Sequence, residues 1–243
     1  MDIKGKGSLL LLAVSTLVLC QNVASNPICL QDTRCQAFLQ DLYYKALFST
    51  MEMQFNSLEL FMKITKQYSQ NLVFHIPGIR SCHTAQIPVP ASQQEAELLQ
   101  HKDIIHVVIR LLRSWDEPLT SLALEAHRLP KLQDFFSLKR GSISQTHREL
   151  TQLAKRLARH LDPETTDNVD YASWSGLQLL QASDEKTFHT TFYNTVRCLL
   201  IDSQKIESLL VFLNCKISPD NCNDVPVPFV SEKHFNDTSS AII

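Results

Sequence analysis

Apolar residues recur along this chain at three- and four-residue steps in four separate stretches, as expected of helices that each bury one face. The clearest begins at Phe188. Phe188, Phe192, Thr195, Leu199, Ser203, Ile206, Leu210 and Leu213 fall on one stripe of a long helix that leads to Cys215 and Cys222. The first stretch predicts a helix from about Gln36 to Tyr68, with Leu39, Leu42, Tyr43, Ala46, Leu58, Phe61 and Met62 among its apolar positions. The second starts near Ser92, with Glu95 placed for a capping box. It continues through Leu98, His101, Ile105, Val108, Leu112, Trp115, Leu119 and Leu122. Pro118 is expected to kink or end that helix near Asp116, and His101 reads as a partnered, partly buried side chain. The third runs from about Ser142 to Leu161 through Ile143, Leu150, Leu153 and Leu157. The fourth is expected to start near Ser183 or Asp184, where the side chain can cap and an acidic first turn suits the helix dipole.

The connections decide how four helices can be arranged. The segment from Ser69 to Ser92 carries Pro77-Gly78, Pro88 and Pro90, and the one from Asp162 to about Ala182 carries Trp174-Ser175-Gly176; both read as long irregular crossings. The link from Pro130 to Gly141 is shorter. A crossing of about 20–25 residues can run back along a long helix at roughly 3.3 Å per residue. Parallel neighbours need such a return. The pattern therefore predicts an all-α protein: an up-up-down-down four-helix bundle of the long-chain cytokine type, with two long crossover loops.

Composition narrows the class. A net charge of −2 over 243 residues argues against a nucleic-acid partner. Five glycines are few for hairpins or phosphate-binding loops. Lys4 and Lys6 precede the apolar run Ser8 to Cys20, and small residues follow, with Val23 and Ser25 at a cleavage site. That run falls short of the roughly 20 residues needed to span a bilayer. Residues 1–25 are therefore read as a signal peptide, 26–222 as the helical domain and 223–243 as a C-terminal tail. A secreted, extracellular monomer is expected, without membrane insertion.

Six cysteines remain after the signal peptide: Cys29, Cys35, Cys82, Cys198, Cys215 and Cys222. They allow fifteen pairings, among which the sequence does not choose. Proximity suggests Cys29–Cys35 and Cys215–Cys222, leaving Cys82–Cys198. No C-x-x-C or His-x-x-x-His pair sits nearby to favour zinc. Asn236-Asp237-Thr238 is an N-glycosylation acceptor at Asn236.

Several motifs now add up to a resemblance: SCHT (81–84), LLRSWDEPL (111–119), DPET (162–165), WSGL (174–177), C-x3-DSQKIE (198–207) and the final Cys215 and Cys222. In this order they resemble the prolactin and growth hormone family over roughly residues 29–222. The pair Cys29 and Cys35 makes the chain most similar to prolactin and its placental prolactin-like relatives. The resemblance implies the three disulfides above and a secreted hormone that binds a single-pass receptor, the prolactin receptor or a related class I cytokine receptor. It also implies two receptor-binding faces. One combines the fourth helix, the end of the first and the first crossing; the other combines the first and third helices.

A helical wheel places Leu200, Ile201, Gln204, Lys205, Ser208, Val211 and Phe212 away from the core stripe, and with Glu207 they form the expected first face. Set against prolactin, this face has lost basic residues at Leu200, Ile201 and Val211 and a histidine at Gln204. Two readings stand: these side chains pack beneath the first crossing or the C-terminal tail, or they form a receptor epitope of altered specificity with an apolar centre of the kind binding hot spots favour. On the third helix, Arg148, Thr151, Gln152, Lys155 and Arg159 form the expected second face, within a run that also includes His147, Arg156 and His160. Clustered cations also suit sulfated glycans, so a non-signalling extracellular binding protein with a glycan, matrix or carrier partner is the alternative function. No nucleophile motif, metal site or phosphate loop is present, so neither catalysis nor a cofactor is expected.

Overall fold

The computed structural model describes residues 33–68, 81–137, 139, 141–163 and 170–217. The expected signal peptide, Cys29, Cys222, Asn236 and the 223–243 tail lie outside them. Among the described residues every regular element is a helix. Helix α1 spans Thr33–Tyr68. Leu39, Leu42, Tyr43, Ala46, Thr50, Met53, Ser57, Leu60 and Ile64 form its buried stripe. The hydroxyls of Thr50 and Ser57 donate back to the carbonyls of Ala46 (2.8 Å) and Met53 (2.7 Å), so they can be buried without outside partners. Leu58 and Met62, expected inside, are exposed instead. At roughly 100° per residue they lie about one and two steps off the Ser57–Leu60–Ile64 line.

The expected second helix is three pieces: α2, Gln93–Glu97; α3, His101–Ser114; and α4, Asp116–Glu125. Ser92 caps α2, its Oγ accepting from the Glu95 N–H at 3.3 Å. The Glu95 carboxylate accepts from the Ala91 N–H at 2.9 Å, one residue before a regular box. The chain then breaks, leaving Leu98, expected in the seam, 85% exposed. A new start is made at Gln100, whose N–H donates to Asp103 (3.2 Å). From Ile105 onward the predicted seam holds, with Val108, Leu112, Trp115, Leu119 and Leu122 all buried. The interruption expected from Pro118 falls at Trp115, which puts the proline in the first turn of α4, where its missing N–H costs no bond.

Two 3-10 segments, Ala126–Arg128 and Pro130–Phe136, lead to α5, Ile143–Leu161. Gly141 takes φ 81°, the left-handed turn that glycine adopts freely, and Ser142 then caps α5 by accepting from the Gln145 N–H (3.2 Å). The second crossing contains a short helix, α6, Leu177–Leu180, that the sequence pattern did not show. A side chain at Gly176 would place its Cβ 2.6 Å from the Trp174 ring, so this close approach needs glycine. Helix α7 spans Glu185–Ile217. Asp184 caps it as expected, accepting from the Thr187 N–H (2.8 Å) and hydroxyl (2.7 Å). These bonds, the hydroxyl's foremost, hold the Asp184 carboxyl below its ordinary range.

Helix α1 packs against α5 and α7, and α3 packs against the same two. Near the C-terminal end of α1, Tyr68 stacks on His189 (4.4 Å) and Phe61 meets Tyr193 (5.0 Å) at the start of α7. Near its N-terminal end, Phe38 meets His160 (5.1 Å) at the end of α5. Lys216, at the end of α7, donates to the carbonyl of Glu97 (2.9 Å) just before α3. The eight positions of the predicted α7 stripe are all buried.

Candidate functional site

The motifs that stood out in the sequence meet around one buried carboxylate. Asp202 is fully buried. Its Oδ2 accepts from the Thr84 hydroxyl (2.6 Å) and the Trp115 indole N–H (2.9 Å), and its Oδ1 accepts from the Lys205 ammonium (3.0 Å). Beside it, Cys82 and Cys198 form a disulfide across 5.4 Å between Cα atoms. His83 donates to the Ser114 carbonyl (2.9 Å) and sits edge-on to Trp115. Burial pushes the His83 pKa down. Ser114 Oγ donates to the Arg110 carbonyl and accepts from the Ala172 N–H (3.0 Å). SCHT, SWD and DSQK are thus parts of one clasp that ties both crossings to α3 and α7. Cys35 and Cys215 are also disulfide-bonded.

This clasp changes the expected first face. Leu200, Ile201, Lys205, Ser208 and Phe212 are buried, not turned outward as the wheel implied. The reason is that α7 is enclosed on nearly every side, and an apolar helix is then buried all round. Ile201 belongs to the core around the disulfide, Phe212 to the core around Leu42 and Leu112, and Lys205 serves Asp202. Gln204, Glu207 and Val211 alone of the expected set remain partly exposed, on one line of α7. Desolvation raises the pKa of Glu207 there.

The second face is more open. Between α1 and α5 lies a groove of about 820 Å³, lined by Tyr44, Lys45, Phe48, Ser49, Glu52, Glu149, Gln152, Leu153 and Arg156. Of the expected second-face residues, Gln152 lines it; Arg148 and Arg159 are exposed nearby on α5, and Thr151 and Lys155 are half-buried. His147 does not join this surface. It is buried and donates from Nε2 to the Leu112 carbonyl (2.9 Å). On the α1 side stands a ridge that the sequence reading missed: Tyr44, Phe48, Met51, Phe55, Leu58 and Met62 are all exposed. They recur at alternating steps of four and three, a second apolar stripe on a helix whose other side is already buried. The signal was present, since α1 carries more apolar positions than one face can hold. Leu58 and Met62 belong to this outer stripe, not to the buried one.

Among the described residues, no group of His, Cys, Asp and Glu could hold a metal ion, and no helix is long and apolar enough to cross a membrane. The fold, the disulfide and the clasp of motifs agree with a comparison of the whole sequence with known families, in which the model of the somatotropin hormone family matches residues 12–222. The chain belongs to the somatotropin hormone family.

Proposed function

We propose that this chain is an exported hormone, freed of residues 1–25, that brings together two chains of a single-pass cytokine-type receptor. The prolactin receptor is the first partner to test, and altered specificity relative to prolactin is expected. Family membership supports a hormone rather than an enzyme. In this reading the protein is a monomer with disulfides Cys29–Cys35, Cys82–Cys198 and Cys215–Cys222, and it carries a glycan at Asn236. The end-to-end contacts of α1 with α7 and α5, and of α3 with α7, support the up-up-down-down arrangement. Gln204, Glu207 and Val211 form the accessible part of the first face; the buried members of that set support it from beneath.

The observation that carries the proposal is the exposed ridge from Tyr44 to Met62 beside the groove. It covers nineteen residues of helix, eighteen steps or about 27 Å at 1.5 Å per residue. A contiguous exposed apolar surface of this kind marks an interaction site. The test is the stoichiometry with the prolactin receptor ectodomain, measured by calorimetry and light scattering. Wild type is expected to bind two receptor chains. Phe48→Ser with Phe55→Ser is expected to leave one, bound through α7, and Val211→Glu to weaken that remaining site. Absence of binding at any ratio would remove this receptor as the partner.

A further inference from the structure

We propose that the groove between α1 and α5, with the row of cations along α5, binds a sulfated glycosaminoglycan. Arg148, Lys155 and Arg159 recur at steps of seven and four, so they follow one line of the helix. That line is about 16 Å long at 1.5 Å per residue. Arg156 stands beside it and lines the groove. None of these four cations is ion-paired to a carboxylate among the described residues, whereas Lys45 on the α1 side of the groove pairs with Asp41, and Lys63, Arg128 and Lys139 pair with an Asp or Glu elsewhere on the surface. In a chain with a net charge of −2, these four cations lie within twelve residues of one helix, whereas exposed lysines such as Lys66, Lys102 and Lys131 are scattered over other elements.

A single anion does not need a row of this length, but a linear polyanion with repeating sulfates does. The opposite wall selects a sugar over an acidic peptide. Tyr44 and Phe48 are 57% and 69% exposed, and their rings offer flat apolar platforms for the C–H faces of pyranose rings. Glu52 and Glu149 also line the groove, so the sulfates belong along the Arg156 side and the sugar rings over the aromatics. The proposal does not depend on the receptor reading, but both would use this groove, so glycan and receptor are expected to compete for it.

The probe is a size-defined heparin oligosaccharide, titrated calorimetrically into the intact mature protein over roughly 50–200 mM salt. Arg148→Gln/Lys155→Gln/Arg159→Gln is expected to weaken binding by about tenfold or more and to flatten its salt dependence, because fewer counterions are released. Phe48→Ala is expected to weaken binding with the salt slope unchanged. A charge-matched control, Lys66→Gln/Lys102→Gln/Lys131→Gln, alters exposed lysines elsewhere and is expected to bind like wild type. Equal loss in that control, or equal affinity for poly-glutamate, would reduce the effect to non-specific attraction and overturn the proposal. So would wild-type affinity in the α5 variant. Receptor titration of the same proteins keeps the two readings apart.

Discussion

At the scale of single residues, the decisive group is Asp202, an ionisable side chain with no access to water and three donors around it. Breaking a buried ion pair from one side costs more than the pair contributes, because the remaining charge stays buried and unpaired. Asp202→Ala removes the acceptor shared by the Lys205 ammonium, the Thr84 hydroxyl and the Trp115 N–H. A loss of about 3–5 kcal/mol in urea unfolding is expected; a loss under about 1 kcal/mol would mean that Lys205 escapes to solvent. His147 gives a second test. Burial, helped by the nearby Arg148, pushes its pKa down, against the Leu112 carbonyl and Asp116. The folded protein therefore binds this proton less readily than the unfolded chain, whose histidine titrates near 6.5. Stability is full above that pH and falls as pH drops below it. His147→Gln, which keeps an N–H donor for the Leu112 carbonyl, is expected to flatten the decline in urea midpoint between about pH 7 and about pH 5. An unchanged slope would assign the decline to His83, His101 and His189, whose pKa values are lowered chiefly by burial as well.

At the scale of elements, α1 is the helix with two apolar stripes, and each predicts a different response. Leu60→Ala on the inner stripe is expected to cost about 2–5 kcal/mol through the cavity it leaves. Phe55→Ser on the outer ridge is expected to stay within about 0.5 kcal/mol of wild type, because exposed side chains contribute little to folding. Equal losses in urea unfolding would show the ridge to be covered by the rest of the chain. Periodicity found the helical stretches, and capping chemistry placed the starts at Ser92 and at Ser183 or Asp184, because both signals are local. Periodicity could not phase α1, where two stripes overlap and either fits the window. It also placed Leu98 in a seam that a second N-cap at Gln100 interrupts. On α7 the wheel failed for a different reason. A helix surrounded on all sides has no outward face to predict, and which neighbours surround it is a tertiary fact.

At the scale of the molecule, the Cys82–Cys198 bridge and the Asp202 clasp fasten the first crossing to α7 at adjoining points. The bridge was readable as the pairing left after the two proximal ones. The clasp was not, since Thr84, Trp115 and Asp202 are brought together only by the fold. The bridge joins residues 116 apart, and a loop of that size is worth about 4–5 kcal/mol of chain entropy. Cys82→Ala/Cys198→Ala is expected to lose about that much stability. The two fastenings are also expected to be coupled. With the bridge intact, Thr84 is held against Asp202 by the disulfide two residues away, so Asp202→Ala leaves its hydroxyl buried without a partner. Without the bridge the crossing can shift and let Thr84 reach water. Asp202→Ala should then cost less by about 0.5–3 kcal/mol, the range of couplings between interacting sites. The double-mutant cycle in urea measures that difference directly. A coupling term of zero would mean that the crossing is held equally well by its own packing against Trp115 and Trp174, and that the bridge acts only on the unfolded chain.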